Sequence, residues 1–315
     1  MKKICALVLT LCLALACLSM AAAEDKTYHV GVLQLVQHVA LDAATQGFQD
    51  ALTEKLGDKI VIDVKNASGE SVNCTTIAND FVAANMDLIM ANATPALQSA
   101  MAATADIPIL GTSITDYATA LDMDDWTGVT GVNISGTSDL APLDGQAAML
   151  HELFPDAKTV GLVYCSAEPN SKYQVDEITK FLTELGYECK NYAFADSNDV
   201  ASVVESACEC DVLYIPTDNT AASYTETIAN VVEPAGKAVI AGEEGICTGC
   251  GVATLTISYY DLGYATGEMA YEVLVNGADV AQMAIQYAPN FTKKYVAARA
   301  DALELTIPED YSAIE

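Results

Sequence analysis

The sequence predicts an α/β protein built from two similar halves, each with a parallel sheet covered by helices. Three observations lead to this prediction: short apolar runs alternate with segments of helical periodicity, the alternation occurs twice, and no low-complexity linker divides the chain. A length of 315 residues suits two domains of ordinary size. Two lobes joined by right-handed crossovers therefore fit the pattern better than one long sheet.

The first half opens with a strand at 29–36 and a helix at 41–56, whose apolar residues recur at helical spacing. Thr94 and Pro95 are the residue types expected at the N-cap and the first position of a helix. The other predicted elements are strands at 60–64, 88–91 and 107–111, helices at 73–85 and from Thr94 onwards, and an extended segment at 128–134.

One strand–loop–helix unit, at 159–186, opens the second half. Residues 160–164 form an apolar run of strand length, and a polar turn follows at 165–170. Ser171 suits a helix N-cap because its hydroxyl can accept a free backbone N–H, and Gly186 suits the helix end. The other predicted elements are helices at 142–154, 200–207, 225–232 and 260–275, strands at 189–194, 212–216 and 238–241, extended segments at 252–257 and 286–298, and a short terminal helix.

Residues 1–23 have the pattern of a secretory signal peptide. Lys2 and Lys3 precede an apolar run at 4–18, and 21–23 offers an A-x-A cleavage site. Cys17 allows a second interpretation, a lipid-anchored N-terminus, but the residues before it match a lipidation site poorly, which favours simple cleavage. With either interpretation we expect an extracytoplasmic protein, in the periplasm or on the outer face of the cell membrane.

The chain is strongly acidic, with 43 Asp and Glu against 14 Lys and Arg and a formal net charge of −29. A surface of this sign repels nucleic acid and anionic membranes, so neither is predicted as a partner. The charge indicates an exported protein with an acidic coat, and it identifies no specific cationic ligand.

The most suggestive cysteine spacing among the ten cysteines is Cys247-Thr-Gly-Cys250, with Cys208 and Cys210 upstream. No histidine lies near either pair in the sequence, and there is no second C-x-x-C. A local disulfide between Cys247 and Cys250, or plain buried thiols, is therefore favoured over zinc or thiol chemistry. No metal and no cofactor is predicted.

The polar ends of the predicted strands indicate where a ligand would bind. In open parallel sheets, ligands bind outside the carboxyl ends of the strands, and the helices that start there can hold an anion. Polar loop residues are also ordinary helix caps, and Asn66, Ser68 and Thr112 are interpreted in that way. The polar strand ends are 37–38, 94, 113–116, 168–171, 218–219 and 243–244, and they come from both halves. The pattern predicts a small ligand held between two lobes.

The chemistry of these ends favours binding over catalysis. The sequence has no G-x-S-x-G elbow, no Walker loop and no G-x-G-x-x-G after the first strand, and a catalytic triad would have to use His38. Arg299 is the only arginine and lies far along the chain, so a guanidinium clamp on a ligand carboxylate is not expected. Thr94, Ser113 and helix N-termini are the available substitutes, and the acidic loop ends suit a ligand ammonium.

Eight segments together resemble the substrate-binding proteins of a class of ABC importers that includes the tryptophan-binding TrpX type. They are GVLQLVQHVALDAATQGFQDAL, NATPALQSA, DIPILGTSITD, VTGVN, KTVGLVYCSAEPNS, VLYIPTDNT, AGEEG and YYDLGYATGEMA, in this order over nearly the whole mature chain. The resemblance implies a type 1 periplasmic-binding fold with two lobes, an interlobe cleft and three crossovers. It also implies a permease and its ATPase as partners.

The resemblance extends to single positions. The loop after the first strand of the second lobe matches the family at Glu168, Asn170 and Ser171, and Asp218 and Asn219 match as well. The chain departs from the family at three loops, one of which has Tyr-Cys-Ser at 164–166 where the family often has Tyr-Asn-Pro. It has Gln-His-Val at 37–39 where the family often has Glu-His-Pro, and Thr-Asp-Tyr at 115–117 where the family often has Thr-Asp-Pro.

These observations lead to one functional prediction and two alternatives. We expect a monomeric, non-enzymatic solute-binding protein that closes around an amino acid, with an aromatic or large apolar side chain, and delivers it to an ABC permease. The alternatives are an exported enzyme of similar fold, with Glu168 or His38 as acid or base, and a sensor domain. The expected lobes are 24–134 with 258–286, and 135–257 with 287–315.

The expected ligand contacts follow from the strand ends and the resemblance. Thr94 and Ser113 would hold the carboxylate, Glu243 or Asp218 the ammonium, and Tyr117 and Tyr164 would flank the side chain. The full set of candidate ligand-binding residues is Gln37, His38, Thr94, Ser113, Thr115, Asp116, Tyr164, Glu168, Asn170, Ser171, Asp218, Asn219 and Glu243.

Overall fold

The computed structural model describes residues 26–314. The predicted signal peptide at 1–23 and the lipid-anchor alternative at Cys17 lie outside these residues. Within residues 26–314, no helix is both long and apolar enough to cross a membrane.

Strands and helices alternate along the described chain, as predicted. The first half contains β1 (Tyr28–Gln34), α1 (Val39–Leu56), β2 (Ile60–Asn66), α2 (Ser71–Ala83), β3 (Leu88–Asn92), α3 (Thr94–Ala103), β4 (Ile109–Ile114), α4 (Tyr117–Ala120) and β5 (Ile134–Ser138). The second half begins with α5 (Leu143–Leu153), β6 (Thr159–Cys165), α6 (Pro169–Glu184), β7 (Glu188–Phe194), α7 (Val200–Ala207), β8 (Val212–Ile215), α8 (Asn219–Ser223) and α9 (Thr225–Val232). It continues with β9 (Ala238–Ala241), α10 (Glu244–Cys250), β10 (Ala253–Thr256), α11 (Tyr259–Leu274), β11 (Gln286–Tyr287), β12 (Thr292–Tyr295), α12 (Ala297–Ala302) and β13 (Ser312–Ala313).

The strands of residues 26–314 form two sheets, which confirms the α/β architecture with two lobes. One has six strands in the order β11-β5-β4-β3-β1-β2, and the other has seven in the order β13-β12-β10-β9-β8-β6-β7. Neighbouring strands are parallel except for β10 and β12, which pair antiparallel. The central strands read as continuous apolar runs because helices cover both faces of each sheet.

Helix α11 returns to the first lobe after the second sheet is almost complete. It packs against α1 so closely that a Cβ at Gly263 would lie 1.9 Å from the carbonyl oxygen of Ala44, and one at Gly47 would lie 2.1 Å from that of Tyr260. Glycine at these positions lets the two backbones approach, and β11 then joins the first sheet beside β5. The chain therefore crosses between the lobes three times, near 139–141, 257–258 and 288–291.

Several predicted boundaries need correction. The fifth strand was predicted at 128–134 but lies at Ile134–Ser138, where it pairs with β4 in the first sheet. The lobe boundaries themselves stay a prediction, and we propose that the first crossover follows Ser138 because β5 belongs to the first sheet. Extended structure was predicted throughout 286–298, but β11, β12 and the start of α12 occupy this segment.

Two predicted helix caps are also wrong by one to three residues. Glu168 is the N-cap of α6 and Pro169 its first residue, whereas Ser171 lies inside the first turn. The N-cap of α3 is Ala93, with a φ of 91°, and Thr94 is the first helical residue. Gly186 ends α6 as predicted, with a φ of 95° that glycine adopts without strain.

Candidate functional site

The carboxyl ends of the two sheets face each other across a small interlobe cavity of about 10 Å³. A space of this size holds about one water molecule. Its lining comprises His38, Ala40, Leu41, Ser113, Thr115 and Asp139 of the first lobe, Asn170, Thr217, Asp218, Asn219, Ala222 and Glu243 of the second, and Tyr259 beside the second crossover between the lobes. The strand ends predicted to hold a ligand therefore do converge, and the cleft between them is closed.

Ser113 is presented to the cavity by an irregularity at the end of β4. The pairing of β4 with β5 shifts between Gly111 and Ile114, and Ser113 takes a φ of 56° there. The left-handed region costs a non-glycine residue about 1–2 kcal/mol. Ser113 is 7% exposed, and its Oγ has no hydrogen-bond partner among the described residues. A strained, buried hydroxyl that is free to donate is a typical feature of a binding site.

His38 ends the loop after β1 and is the N-cap residue of α1. Its Nε2 lies 3.3 Å from Oδ1 of Asn219 in the other lobe. Asn219 donates from Nδ2 to Glu168 at 2.7 Å, which fixes its amide so that Oδ1 accepts from His38. Burial lowers the pKa of His38, so the ring is neutral and the remaining nitrogen, Nδ1, is an acceptor. This Nδ1 is buried and has no partner in the described part of the chain.

Glu168 accepts hydrogen bonds from several residues on the second-lobe side of the cavity. One carboxylate oxygen accepts from N and Nδ2 of Asn219 at 3.1 and 2.7 Å, and the other accepts from N and Oγ1 of Thr220 at 2.9 and 2.8 Å. Nδ2 of Asn170 donates to the first oxygen at 3.1 Å and also to the carbonyl oxygen of Thr217. Glu168 therefore positions two amides that line the cavity, although it is not part of the lining itself.

The Asn170 amide is fixed by the same contacts. Because its Nδ2 donates to Glu168 and Thr217, its Oδ1 is the free acceptor, and this atom is buried with no partner among residues 26–314. Three of the five buried side-chain polar atoms that lack a partner in these residues belong to cavity-lining residues: His38 Nδ1, Ser113 Oγ and Asn170 Oδ1. Such atoms are rare in native structures, and three on residues around one cavity indicate that a polar group, either a water molecule or part of a ligand, binds there.

Asp218 and Glu243 line the cavity and also act as helix caps. Asp218 accepts from the backbone N of Cys165 at 2.6 Å and of Ala221 at 2.8 Å, and Glu243 accepts from those of Gly245 and Ile246. Burial raises the pKa of each carboxyl to about 7, with a further contribution from the charge of Glu168 at Asp218. The backbone N–H groups oppose this rise by stabilising the charged forms.

Asp139 is a third carboxylate in the lining, and the sequence analysis missed it. It directly follows β5, is 5% exposed, and accepts from Oγ1 of Thr115 at 3.0 Å and from the hydroxyl of Tyr259 at 2.8 Å. Burial raises the pKa of its carboxyl. The rule that ligands bind at the carboxyl ends of strands would have found it, but the strand was predicted to end at residue 134.

The structure brings seven of the thirteen candidates into the lining: His38, Ser113, Thr115, Asn170, Asp218, Asn219 and Glu243. The other six lie outside it. Gln37 is exposed, Asp116 caps α4 through the backbone N of Thr119 at 2.7 Å, and Thr94 is buried at the start of α3. Tyr164 packs against the core of the second lobe, and Glu168 and Ser171 are buried without entering the lining.

Tyr117, which the sequence placed beside the ligand side chain, lies in the core of the first lobe. It is 2% exposed, its hydroxyl donates to the carbonyl oxygen of Thr137 at 3.2 Å, and its ring stacks on Trp126 with centroids 6.4 Å apart. Tyr117 is therefore a packing residue.

A second cavity of about 300 Å³ adjoins the first, with Ala40, Glu243 and Tyr259 in the walls of both. Apolar atoms of Val39, Ala43 and Ile257 contribute to its lining. The complete lining is Val39, Ala40, Ala43, Glu243, Glu244, Gly245, Thr256, Ile257, Ser258, Tyr259, Tyr260, Thr292 and Lys294. This cavity has the size of the smaller ligand pockets in proteins.

The cysteines lie apart from this site. The seven in the described residues are free thiols, so the disulfide alternative for Cys247 and Cys250 is not realised and the alternative of plain buried thiols is. Both lie in α10 with their side chains in the core of the second lobe, and Cys250 Sγ donates to the carbonyl oxygen of Ile246 at 3.4 Å. In residues 26–314, no group of three or more His, Cys, Asp or Glu side chains could hold a metal ion.

Comparison with known proteins gives consistent matches over most of the chain. The family described as ABC transporter substrate binding protein matches residues 29–314. A tyrosine-binding protein of Clostridioides difficile (strain R20291) is 38% identical over 255 residues, which are 80% of this chain and 74% of that protein.

Two solved structures allow the arrangement of the lobes to be compared with that of a ligand complex and with that of an open form. An ABC domain from Streptococcus pneumoniae in complex with L-Trp is 32% identical and superposes with a TM-score of 0.88, over 92% of this chain and 100% of that one. A substrate-binding protein with adhesive properties from Clostridium difficile, in its ligand-free, open form, is 35% identical but has a TM-score of only 0.70, over 92% and 99%. The present structure is therefore more similar to the ligand complex than to the open form, in agreement with its closed cleft.

Proposed function

This chain belongs to the ABC transporter substrate-binding protein family, and we propose that it captures an aromatic α-amino acid between its lobes and delivers it unchanged to a membrane permease. Its type 1 periplasmic-binding fold suits this role, since the lobes can separate to admit a ligand and close around it. The aromatic preference is supported by the names of two relatives, a tyrosine-binding protein and a complex with L-Trp.

One observation carries the proposal: unpartnered polar atoms and buried carboxylates from both lobes surround a single interlobe cavity. An amino acid offers a carboxylate that accepts hydrogen bonds and an ammonium group that donates three. Ser113 Oγ is a free donor, and His38 Nδ1 and Asn170 Oδ1 are free acceptors. A zwitterion would therefore satisfy groups of both kinds.

The carboxylate has no arginine available in this cleft. Arg299 donates instead to the carbonyl oxygens of Cys247, Thr248, Gly249 and Gly251 at the end of α10. We assign the carboxylate to the Ser113 hydroxyl, which is the free donor among the lining residues. The start of α3, which the sequence suggested through Thr94, lies outside the lining.

The adjoining cavity of about 300 Å³ supplies room for the ligand side chain. Val39, Ala43 and Ile257 give it apolar walls, while Tyr260 and Glu244 give it polar ones. The smaller cavity alone would not hold an amino acid, so the lobes must separate for binding. Mixed walls of this kind suit an aromatic ring that carries one polar atom.

The partners and location are part of the same proposal. Substrate-binding proteins of ABC importers act outside the cytoplasm, and we propose that residues 1–23 are a cleaved leader, with Cys17 as a lipid anchor the alternative. The partners are an ABC permease and its ATPase, and the protein acts as a monomer.

Calorimetric titration of the mature protein with the twenty common amino acids tests the proposal. We expect the tightest binding for L-tyrosine or L-tryptophan, and recovery of the ligand unchanged on denaturation. A best ligand without an amino group would overturn the proposal, and turnover of the bound molecule would support the enzyme alternative. Mass spectrometry of whatever co-purifies with the native protein provides an independent identification.

A further inference from the structure

We infer that Asp139, at the carboxyl end of β5, holds the ligand ammonium and makes the site specific for amino acids over the corresponding acids without an amino group. This inference rests on the proposed function and deepens it. Asp139 takes the place of Asp218 and Glu243 as the expected ammonium partner. The reason is that different groups stabilise the negative charges of the three cavity carboxylates.

Backbone N–H groups of the chain itself stabilise the negative charges of Asp218 and Glu243. Each carboxylate accepts two backbone N–H groups, and in each case one or both come from the first turn of the helix that the residue caps. These N–H groups carry partial positive charge and stabilise a negative cap. Both carboxylates are therefore engaged by fixed donors whether or not a ligand is present.

Asp139 has a different environment. Its side-chain partners are two hydroxyls, Thr115 Oγ1 at 3.0 Å and the Tyr259 hydroxyl at 2.8 Å, and it caps no helix. Among residues 26–314 no Lys, Arg or His lies in an ion pair with it. A buried carboxylate whose charge is stabilised by neutral groups alone is costly, unless a cation joins it.

The remaining acceptors of the cavity fit an ammonium as well. His38 and Asn170 line the same cavity as Asp139, and the orientations of their unpartnered atoms, Nδ1 and Oδ1, are set by the contacts of the opposite atoms with Asn219 and Glu168. One carboxylate and two neutral acceptors provide one partner for each of the three N–H bonds of an ammonium. A ligand that lacks the amino group would leave His38 Nδ1 and Asn170 Oδ1 without a donor and the charge of Asp139 without a cation.

The test compares L-tyrosine with 3-(4-hydroxyphenyl)propionate, which lacks only the amino group, on wild-type protein and on Asp139→Asn. We expect wild type to prefer the amino acid by a hundredfold or more. Asp139→Asn should reduce this preference at least tenfold, with the analogue bound as before or better. L-tryptophan and 3-(indol-3-yl)propionate form a second pair. Because each preference is a ratio measured on one protein sample, a partly inactive preparation does not alter it.

Three further variants provide controls. Asp211→Asn makes the same change at a carboxylate that accepts from the backbone N of Lys158 and Thr159, far from the cleft, and should keep the full preference. Asp218→Asn and Glu243→Gln should lower the affinity for both members of a pair and keep the preference within about threefold of wild type. A tenfold loss of preference in either of them, with the preference of Asp139→Asn unchanged, overturns the assignment.

The outcomes separate this inference from the proposed function. If wild type binds no aromatic amino acid, the proposed function fails and the inference fails with it. If wild type binds one with the expected preference and Asp139→Asn keeps that preference, only the inference fails. Should Asp139→Asn not fold, a crystal structure of the wild-type complex decides: the ligand nitrogen within 3.2 Å of an Asp139 oxygen supports the assignment, and contact only with another carboxylate refutes it.

Discussion

Replacing Glu168 by Gln tests whether this carboxylate is the group that shapes the second-lobe wall. The change conserves volume but replaces one acceptor oxygen with an NH₂ donor. In the wild-type protein, one Glu168 oxygen accepts from N and Nδ2 of Asn219 and from Nδ2 of Asn170, and the other accepts from N and Oγ1 of Thr220. The new NH₂ is best placed toward Thr220, since the Thr220 hydroxyl can reverse and accept, and only the Thr220 N–H then loses its partner.

The magnitude follows from these contacts. An unpaired buried N–H costs about 1–3 kcal/mol. The contacts that remain become neutral, and charge-assisted hydrogen bonds are about twice as strong as neutral ones. We therefore expect Glu168→Gln to lower the free energy of unfolding by about 2–5 kcal/mol. Ligand affinity should fall at least tenfold, because a neutral amide oxygen holds Asn170 and Asn219 less firmly than the carboxylate does.

Urea denaturation of the ligand-free protein measures the first effect, and titration calorimetry with L-tyrosine or L-tryptophan measures the second. Glu184→Gln is a matched control, since Glu184 is the exposed last residue of the helix that Glu168 caps. If the two variants unfold within about 0.5 kcal/mol of each other, which is the range of ordinary surface substitutions, the reasoning about this network is refuted.

Three other predictions concern acidity, thiols and the single arginine. Burial raises the pKa of the Asp218 and Glu243 carboxyls to about 7, so between about pH 4 and pH 7 the folded protein holds more protons than the unfolded chain, and the free energy of unfolding should fall as the pH rises through that window. Urea midpoints across this range should decline less in Glu243→Gln than in wild type, and equal declines would contradict the assignment. Cys247 and Cys250 should both take up a thiol reagent when the protein is unfolded without reductant and resist it when folded, because burial raises their pKa, that of Cys250 to about 12; protection in the unfolded state would instead show a disulfide. Arg299→Ala should lower the melting temperature, because Arg299 donates to carbonyl oxygens at the end of α10. It should leave ligand affinity within about twofold, because these contacts lie away from the cavity, and a large loss of affinity would show that α10 contributes to binding.

The sequence was sufficient to predict the alternation of strands and helices, because buried parallel strands are continuous apolar runs between segments of helical spacing. It was also sufficient to predict which loops meet, because the carboxyl ends of parallel strands share one edge. His38, Ser113 and Asn170 were predicted in this way, and all three residues line one cavity and carry an unpartnered polar atom.

The remainder depended on details that periodicity does not contain. Strand β5 has the sequence ISGTS, with small polar residues buried by tertiary packing, so the apolar pattern placed the strand too early and Asp139 was missed. Asp218 and Glu243 are acids at loop ends in the sequence, but whether an acid caps its own helix or is free for a ligand is decided by backbone geometry. Tyr117 illustrates the same limit, since its ring direction is set by packing against Trp126.

The lobes are held together weakly across the cleft. Among the described residues, two side-chain hydrogen bonds cross it, His38 Nε2 to Asn219 at 3.3 Å and Gln174 Nε2 to Thr115 at 3.4 Å. Both are near the upper limit of hydrogen-bond length, and each contributes at most about 1 kcal/mol. Closure must then draw its free energy mainly from whatever molecule is enclosed, and only a ligand that contacts both walls can shift the equilibrium. We therefore expect the permease to distinguish ligand-bound from ligand-free binding protein by shape alone, because few contacts hold the ligand-free protein closed.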